Sequence, residues 1–176
     1  MRLIILAGMP GAGKEEFLQA LSGLGVPFLR MGDLVREEYR RRGLEGGDIS
    51  VGQFAQQERD IHGYGIWATR ASARFGGRDH IVDGCRGMEE IRVFREAGDL
   101  SVVAIHSAPE TRYERLQLRG RSDAPANREE FDERDQREMS WGLAELIALA
   151  DEMLVNDSDL RSFHDSARAL MGRLQG

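Results

Sequence analysis

The sequence predicts an α/β fold with a central parallel sheet of about five strands and helices on both faces. Segments 3–7 and 101–106 are short apolar runs, which is typical of strands buried on both faces. Helical segments with one apolar face separate such runs along the chain. Strands that alternate with helices indicate βαβ units and a parallel sheet. The 176 residues fit one domain.

In the first half of the chain, strands are expected at 3–7, 26–29 and 80–83, each ended by a turn or a polar residue. The helices between them are expected at 14–24, 33–42, 51–59 and 66–75. Phe17, Leu18 and Leu21 give the first helix an apolar face, and Asp33 is placed to cap the second. Gly76 and Gly77 end the fourth.

In the second half, strands are expected at 101–106 and 152–155 and helices at 88–97, 109–119, 129–150 and 160–174. Pro109 suits the first turn of its helix. The long helix 129–150 is expected to bend near Ser140, Trp141 and Gly142. Ligands of such folds bind at the carboxyl ends of the strands. Site residues are therefore expected directly after the predicted strands.

Composition excludes several classes of protein. A net charge of −6 argues against a general nucleic-acid binder. The single cysteine, Cys85, excludes an internal disulfide and fits a reducing compartment. No apolar run approaches the roughly 20 residues of a membrane span. These features predict a soluble, cytoplasmic protein, residues 1–176 forming one domain.

A glycine-rich segment follows the first strand. Gly8-Met9-Pro10-Gly11-Ala12-Gly13-Lys14 matches G-x-x-x-x-G-K between a predicted strand and a predicted helix. Such a loop turns backbone N–H groups around phosphate oxygens, and its lysine reaches the β- and γ-phosphates. Lys14 is the only lysine beside 23 arginines, and arginine cannot replace a compact ammonium in a tight phosphate cradle. The segment predicts a three-layer P-loop NTPase fold that binds ATP with Mg²⁺.

The residue after Lys14 departs from the usual motif. A serine or threonine there ligates magnesium, whereas this chain has Glu15, followed by Glu16. Glu15 either holds magnesium through water or only serves as an acidic residue in the first helical turn. Asp83, which ends an apolar strand, is the second candidate for the metal, because an acid in that place needs a partner such as hydrated magnesium.

Segments 8–14, 32–36 and 82–86 resemble the nucleoside monophosphate kinases, which carry G-x-P-G-x-G-K, G-D-x-x-R and D-G-x-x-R segments. The resemblance implies that Arg36 and Arg86 bind the acceptor and that Asp83 orients magnesium-bound water. The third segment is one residue shorter here. Asp33 either caps its helix or acts as the base for an acceptor hydroxyl, as the corresponding acid does in dephospho-coenzyme A kinases.

The resemblance continues in the second half of the chain. It implies an acceptor-binding helical segment at about 33–75 and a lid at about 119–128. Arg134 follows the lid, where a further catalytic arginine is expected. Segment 150–160 resembles dephospho-coenzyme A kinase and implies that Asn156 lies near adenine. The whole chain is similar to an archaeal adenylate-kinase-related, dephospho-coenzyme-A-kinase-like family. Four charged residues occupy the family's arginine-bearing lid: Arg115, Arg119, Arg121 and Asp123.

These features predict an ATP-dependent phosphotransferase. Phosphoryl transfer needs positioning and positive charge, which a phosphate loop and arginines at strand ends supply. A nucleoside monophosphate is the first choice of acceptor and dephospho-coenzyme A the second. The alternative from another class is an ATP-binding switch or slow ATPase that acts through a macromolecular partner. The pattern contains no membrane signal and no strong nucleic-acid signal.

Overall fold

One sheet of five parallel strands organises the protein, in the order β2-β3-β1-β4-β5. The computed structural model describes residues 1–120 and 124–175. The strands are β1 (Arg2–Ala7), β2 (Phe28–Arg30), β3 (His80–Asp83), β4 (Asp99–His106) and β5 (Glu152–Val155). The predicted parallel sheet of about five strands is confirmed.

Helices connect the strands and cover both faces of the sheet. Between β1 and β3 lie α1 (Lys14–Ala20), α2 (Met31–Arg41), α3 (Val51–His62) and α4 (Ile66–Ser72). The later helices are α5 (Met88–Ala97), α6 (Pro109–Arg119), α7 (Arg128–Ser140), α8 (Leu143–Ala148) and α9 (Leu160–Gln175). Within the described residues, no helix is both long and apolar enough to cross a membrane.

Alternation along β1 creates two apolar cores, one on each face of the sheet. Leu3 and Ile5 point into a core shared with α2, α3, α4, α5 and α8. Ile4 and Leu6 point into a core shared with α1 and α9. Successive side chains of a strand face opposite sides, so a strand covered on both sides must be apolar throughout. The fold therefore has the three layers that the sequence predicts.

Three predicted elements are shorter in the structure, and one of them is α4, which ends at Ser72 rather than at Phe75. Helix α1 ends at Ala20 rather than near Leu24, because Gly23 and Gly25 follow and the chain continues in turns. Strand β2 begins at Phe28 rather than Val26. Pro27 has no N–H to donate, and its carbonyl accepts a bond from the Ile81 N–H at 3.0 Å.

Two predicted helix boundaries were wrong. Asp33 does not cap α2, since the helix begins at Met31 and Asp33 lies in its first turn. The expected bend in helix 129–150 is a complete break between α7 and α8. Gly142 adopts φ +101°, which favours glycine, and α8 restarts directly after it.

The strand register brings four strand ends to one edge of the sheet. Leu6 of β1 pairs with Asp83 of β3, and Asp83 pairs with Arg30 of β2. On the other side, Ala7 pairs with Ala104 of β4. The loops after β1, β2 and β3 therefore start side by side, at the edge where the sequence places the phosphate-binding segment.

Candidate active site

The loop from Gly8 to Lys14 connects β1 to α1 and leaves no room for a side chain at Gly8 or Gly11. A Cβ on Gly8, which has φ +156°, would come within 2.6 Å of the Ile105 carbonyl oxygen. A Cβ on Gly11, which has φ +83°, would come within 2.8 Å of the Arg112 carbonyl oxygen. Both positions therefore require glycine, for conformation and for space.

Lys14 is folded back over this loop. Its Nζ donates to the carbonyl oxygen of Gly8 at 2.6 Å and lies 3.5 Å from that of Met9. Burial lowers the pKa of the Lys14 ammonium, and the nearby carboxylates of Asp83 and Glu138 oppose that shift. The ammonium thus stands at the mouth of the loop with acidic groups around it, which is where a bound phosphate would meet it.

Side chains from distant parts of the sequence hold the loop from below. The Asn156 side-chain amide, just after β5, donates to the Ala12 carbonyl oxygen at 2.9 Å. Arg112 of α6 donates to the Pro10 carbonyl oxygen at 3.1 Å and is held by a two-pronged ion pair with Asp135 of α7. The loop backbone is therefore fixed before any ligand arrives. The Asn156 contact seen is with the loop; its approach to adenine stays a prediction.

A cavity of about 870 Å³ opens above the carboxyl edge of the sheet. That volume lies within the range of small-molecule sites. Most residues predicted for the site line this cavity: Gly8, Pro10, Gly11, Gly13, Lys14, Glu15, Glu16, Arg36, Asp83, Arg86, Arg119, Arg134 and Asn156. The side chains of Met9 and Ala12 pack into the two cores instead. Asp33 is not among the described residues that line it.

Asp83 lies in the centre of this arrangement. Its Oδ1 is buried and has no hydrogen-bond partner within the described part of the chain. Burial raises the pKa of its carboxyl group, while the positive charges of Lys14, Arg30 and Arg86 lower it. A buried carboxylate oxygen without a donor is costly unless a cation or a water molecule satisfies it. The donor set therefore fits a hydrated magnesium ion.

Glu15 makes an ion pair across the loop. Both of its carboxylate oxygens accept from Nη2 of Arg30, at 2.7 and 2.9 Å. About 30% of each side chain remains exposed. Glu16 faces another way and pairs with His164 of α9 at 3.3 Å. The charge at the position after Lys14 is thus already balanced by an arginine.

Three arginines line the side of the cavity formed by α2, α3 and the turn after β3: Arg36, Arg59 and Arg86. Arg36 is exposed and pairs with Asp33 at 2.5 Å. The Arg59 side chain is 10% exposed, and its nearest acid is Glu90 at 3.6 Å. Apolar residues complete this half of the cavity, namely Met31, Val35, Val51, Ala55, Trp67 and Leu143.

Arg86 is restrained by the helix that follows the predicted lid. Its Nε lies 3.4 Å from Oε2 of Glu138 on α7, and its guanidinium stacks on the Trp141 ring with 4.5 Å to the centroid. A Cβ on Gly142 would come within 3.2 Å of the Arg86 carbonyl oxygen. The break between α7 and α8 therefore lets this turn pack against Arg86.

The predicted lid residues divide into two groups. Arg115 is anchored at the sheet edge, where it donates to Ser107 Oγ at 2.9 Å and to the Asn156 carbonyl oxygen at 3.2 Å. Arg119 ends α6 and lines the cavity from an exposed position. Arg121 and Asp123 lie outside the described residues.

Three charged residues that line the cavity were missed in the sequence: Arg30, Arg59 and Glu138. Arg30 could have been found, because it directly follows the predicted strand 26–29 and lies two residues before the Gly32–Arg36 segment. Glu138 follows Arg134 by one helical turn, so the two share a face. Arg59 lies between Glu58 and Asp60 in α3, where its burial leaves no signal in the sequence.

A sheet of this order with a glycine-rich loop and lysine after its first strand defines a P-loop protein with a kinase-like fold. A family model described as an AAA domain matches residues 4–138. The chain is 44% identical to the UPF0200 protein of Hyperthermus butylicus, over 99% of this chain and 96% of that protein. It is 42% identical to a UPF0200 protein of Thermoplasma volcanium, over 96% of each. The chain belongs to the UPF0200 family, within the AAA-domain group.

Solved structures share the fold at low sequence identity. A gluconokinase from Sinorhizobium meliloti superposes with a TM-score of 0.62 at 19% identity, over 97% of this chain and 91% of that one. The shikimate kinase from Aquifex aeolicus gives 0.58 at 17% identity, over 99% and 98%. The shikimate kinase from Bacteroides thetaiotaomicron gives 0.62 at 19% identity, over 100% and 99%. The predicted three-layer α/β fold is thereby confirmed.

Proposed function

We propose that the protein is an ATP-dependent kinase that transfers the γ-phosphoryl group to a small phosphorylated acceptor, first of all a nucleoside monophosphate. The observation that carries this proposal is one continuous cavity with two differently built halves. The loop from Gly8 to Lys14 lines one half, and Arg36, Arg59 and Arg86 line the other. ATP occupies the first half and the acceptor the second, so that the two meet above Asp83.

The acceptor half suits an anion attached to a flat, apolar group. Guanidinium groups bind phosphate through paired N–H donors. Val35 and Val51 supply an apolar wall beside them, and Trp67 lies behind that wall. Trp67 is fully buried and fixed by a bond from its Nε1 to the Ala55 carbonyl oxygen at 3.2 Å. A nucleoside monophosphate combines these two chemical features.

The position of Asp33 supports a phosphate acceptor over a hydroxyl acceptor. A hydroxyl, as in dephospho-coenzyme A, needs a base, whereas a phosphate is already ionised at neutral pH. Asp33 was the candidate base, but its carboxylate pairs with Arg36 and is 61% exposed. Arg36 and Arg86 each arise from the segments that resemble nucleoside monophosphate kinases, and both line the acceptor half.

The chain's own residues position and neutralise the reacting groups. Lys14 exchanges the Gly8 carbonyl oxygen for phosphate oxygens, while Arg119 and Arg134 approach from the lid side of the cavity. Asp83 would hold hydrated magnesium through Oδ1, which has no hydrogen-bond partner among the described residues. When bound, magnesium neutralises charge on the β- and γ-phosphates. Transfer itself requires no covalent chemistry from the protein.

An acceptor-dependent ADP-release assay tests this function. Nucleoside monophosphates and dephospho-coenzyme A are compared, each with ATP and Mg²⁺. We expect at least one monophosphate to raise ADP release well above the basal rate. Lys14→Ala is expected to lower that rate at least 100-fold with an unchanged circular-dichroism spectrum, since the loop loses its only ammonium.

Other results would contradict the proposal in separable ways. Stimulation by dephospho-coenzyme A alone would assign the hydroxyl acceptor. ATP hydrolysis that no acceptor stimulates would instead favour a switch or slow ATPase. Arg168→Met is the matched control. Arg168 lies on α9 and is not among the described residues that line the cavity, so this change should leave the rate unchanged.

A further inference from the structure

We propose that Arg30 neutralises Glu15, the residue at the position where P-loop proteins place a magnesium ligand. Because this charge is already offset, ATP binds to the site without a metal ion. The inference deepens the proposed function and rests on it, because it takes the Gly8–Lys14 loop to bind ATP. It concerns affinity alone; turnover keeps the magnesium role of Asp83.

The first step is the position of Glu15. It follows Lys14 directly, where P-loop proteins place the hydroxyl that ligates magnesium. A carboxylate there adds a negative charge beside a polyphosphate that is itself strongly negative. Left alone, such a charge would weaken the binding of ATP, and a metal ion would have to offset it.

The second step is the contact that neutralises this charge. Nη2 of Arg30 lies 2.7 and 2.9 Å from the two oxygens of Glu15. These are charge-assisted hydrogen bonds of good length. With both oxygens engaged by one nitrogen, the charge of Glu15 is offset, and Glu15 attracts a metal ion less strongly than an unpaired carboxylate would.

The third step is where Arg30 points. Arg30 ends β2 beside Asp83 in the register of the sheet, and its charge lowers the pKa of Asp83. Its guanidinium carbon lies 4.8 Å from the centroid of the Phe28 ring, which supports it from the side. Nε and Nη1 make no hydrogen bond to other described residues, although Arg30 lines the cavity. Among the described residues, Glu15 is therefore the side chain that Arg30 engages, and the role of Arg30 at the site is to offset that charge.

The balance of charge at the site follows from these contacts. At the position after Lys14, Arg30 offsets the charge of Glu15 before any ligand enters. Removing Arg30 leaves a net negative centre around Glu15. That centre repels free ATP, yet it attracts a divalent ion and accepts ATP together with it.

Calorimetric titration of ATP with EDTA or with excess Mg²⁺ tests the inference by binding rather than by turnover. We expect the unchanged protein to bind ATP in both conditions with dissociation constants within about tenfold of each other. Arg30→Met should weaken binding at least tenfold in EDTA but less than threefold in Mg²⁺, since the released Glu15 takes the ion. The double variant Arg30→Met/Glu15→Gln should return to within threefold of the unchanged protein in EDTA.

A matched control uses another ion pair between separate elements. Arg74 pairs with Glu37 at 2.6 Å and does not line the cavity among the described residues, so Arg74→Met should leave both constants unchanged. Both pairs are partly exposed, so each variant should fold, which a thermal melt verifies.

Three results would overturn the inference. They are an unchanged protein that binds ATP only with Mg²⁺, an equal loss in both conditions for Arg30→Met, and a double variant as weak in EDTA as the single one. The last two would make Arg30 a general phosphate contact or a structural residue. None of them would affect the proposed kinase activity. A protein that binds ATP in neither condition would defeat that function itself.

Discussion

Gly13 shows how much of the site depends on single residues. It has φ +112°, and a Cβ there would overlap the side-chain amide of Asn156, the group that holds the Ala12 carbonyl. One methyl group would therefore both strain the backbone and displace the residue that fixes the loop. The glycine pattern was visible in the sequence, but Asn156, whose side chain excludes any larger residue at position 13, lies 143 positions away.

Gly13→Ala is expected to weaken ATP binding at least 100-fold, because the loop can no longer keep its shape. Gly172→Ala is the matched control: Gly172 lies in α9, and a Cβ there meets nothing within 4 Å. That change should leave ATP binding unaltered and stabilise the helix by up to about 1 kcal/mol. Calorimetry measures the first effect and thermal unfolding the second. Unchanged ATP affinity in Gly13→Ala would refute the role given to this contact.

Residues that act through local motifs could be predicted, while residues that act through packing could not. Lys14 and Asp83 follow apolar strands at recognisable spacings, so the sequence was enough to propose them. Arg59 and Glu138 are ordinary charged residues on helices, and only the packing of those helices brings them to the cavity. With 23 arginines in the chain, an arginine alone carried little information.

At the scale of elements, a buried ion pair joins α6 to α7 next to the Gly8–Lys14 loop. The Arg112 side chain on α6 is only 4% exposed, and its guanidinium contacts Asp135 on α7 and the carbonyl oxygen of Pro10. Phe131 lies under that guanidinium, 4.9 Å from ring centroid to its carbon. The order of the helices was predicted, but this contact between them and the break at Gly142 were not, since both depend on tertiary packing.

Asp135→Ala is expected to lower the free energy of unfolding by about 3 kcal/mol, because it leaves the buried charge of Arg112 without its partner. Arg74→Met removes a more exposed pair and should change the free energy by less than about 1 kcal/mol. Urea denaturation measures both. If Asp135→Ala lowered the free energy of unfolding as little as Arg74→Met does, the ion pair between Arg112 and Asp135 would contribute little to stability.

For the molecule as a whole, charge on α2 ties stability to pH. Hydrogen bonds from Arg41, and then from Arg42, lower the pKa of Glu38 from 4.5 to about 2. A carboxyl group with a lowered pKa in the folded state stabilises the protein above its unfolded value. That contribution is therefore complete above about pH 4.5 and is lost as the pH falls toward 2.

Glu38→Gln is expected to reduce the stability at pH 7 by about 1 kcal/mol and to flatten its decline in acid, because no charge remains to be protonated. Urea denaturation at pH 7, 4 and 3 follows both changes. Glu129→Gln, on the exposed first turn of α7, is the comparison. Parallel pH profiles for the Glu38 variant and the unchanged protein would contradict the assignment.

The bond from Asn156 to Ala12 spans 144 positions of the sequence and links the first loop of the chain to the residue after its last strand. During synthesis, the glycine-rich segment leaves the ribosome long before its supporting amide exists. A growing polypeptide therefore contains the Gly8–Lys14 loop but lacks the hydrogen bond from Asn156 that supports it until β5 has joined the sheet. Under the proposed function, ATP binding should consequently begin only once β5 has joined the sheet.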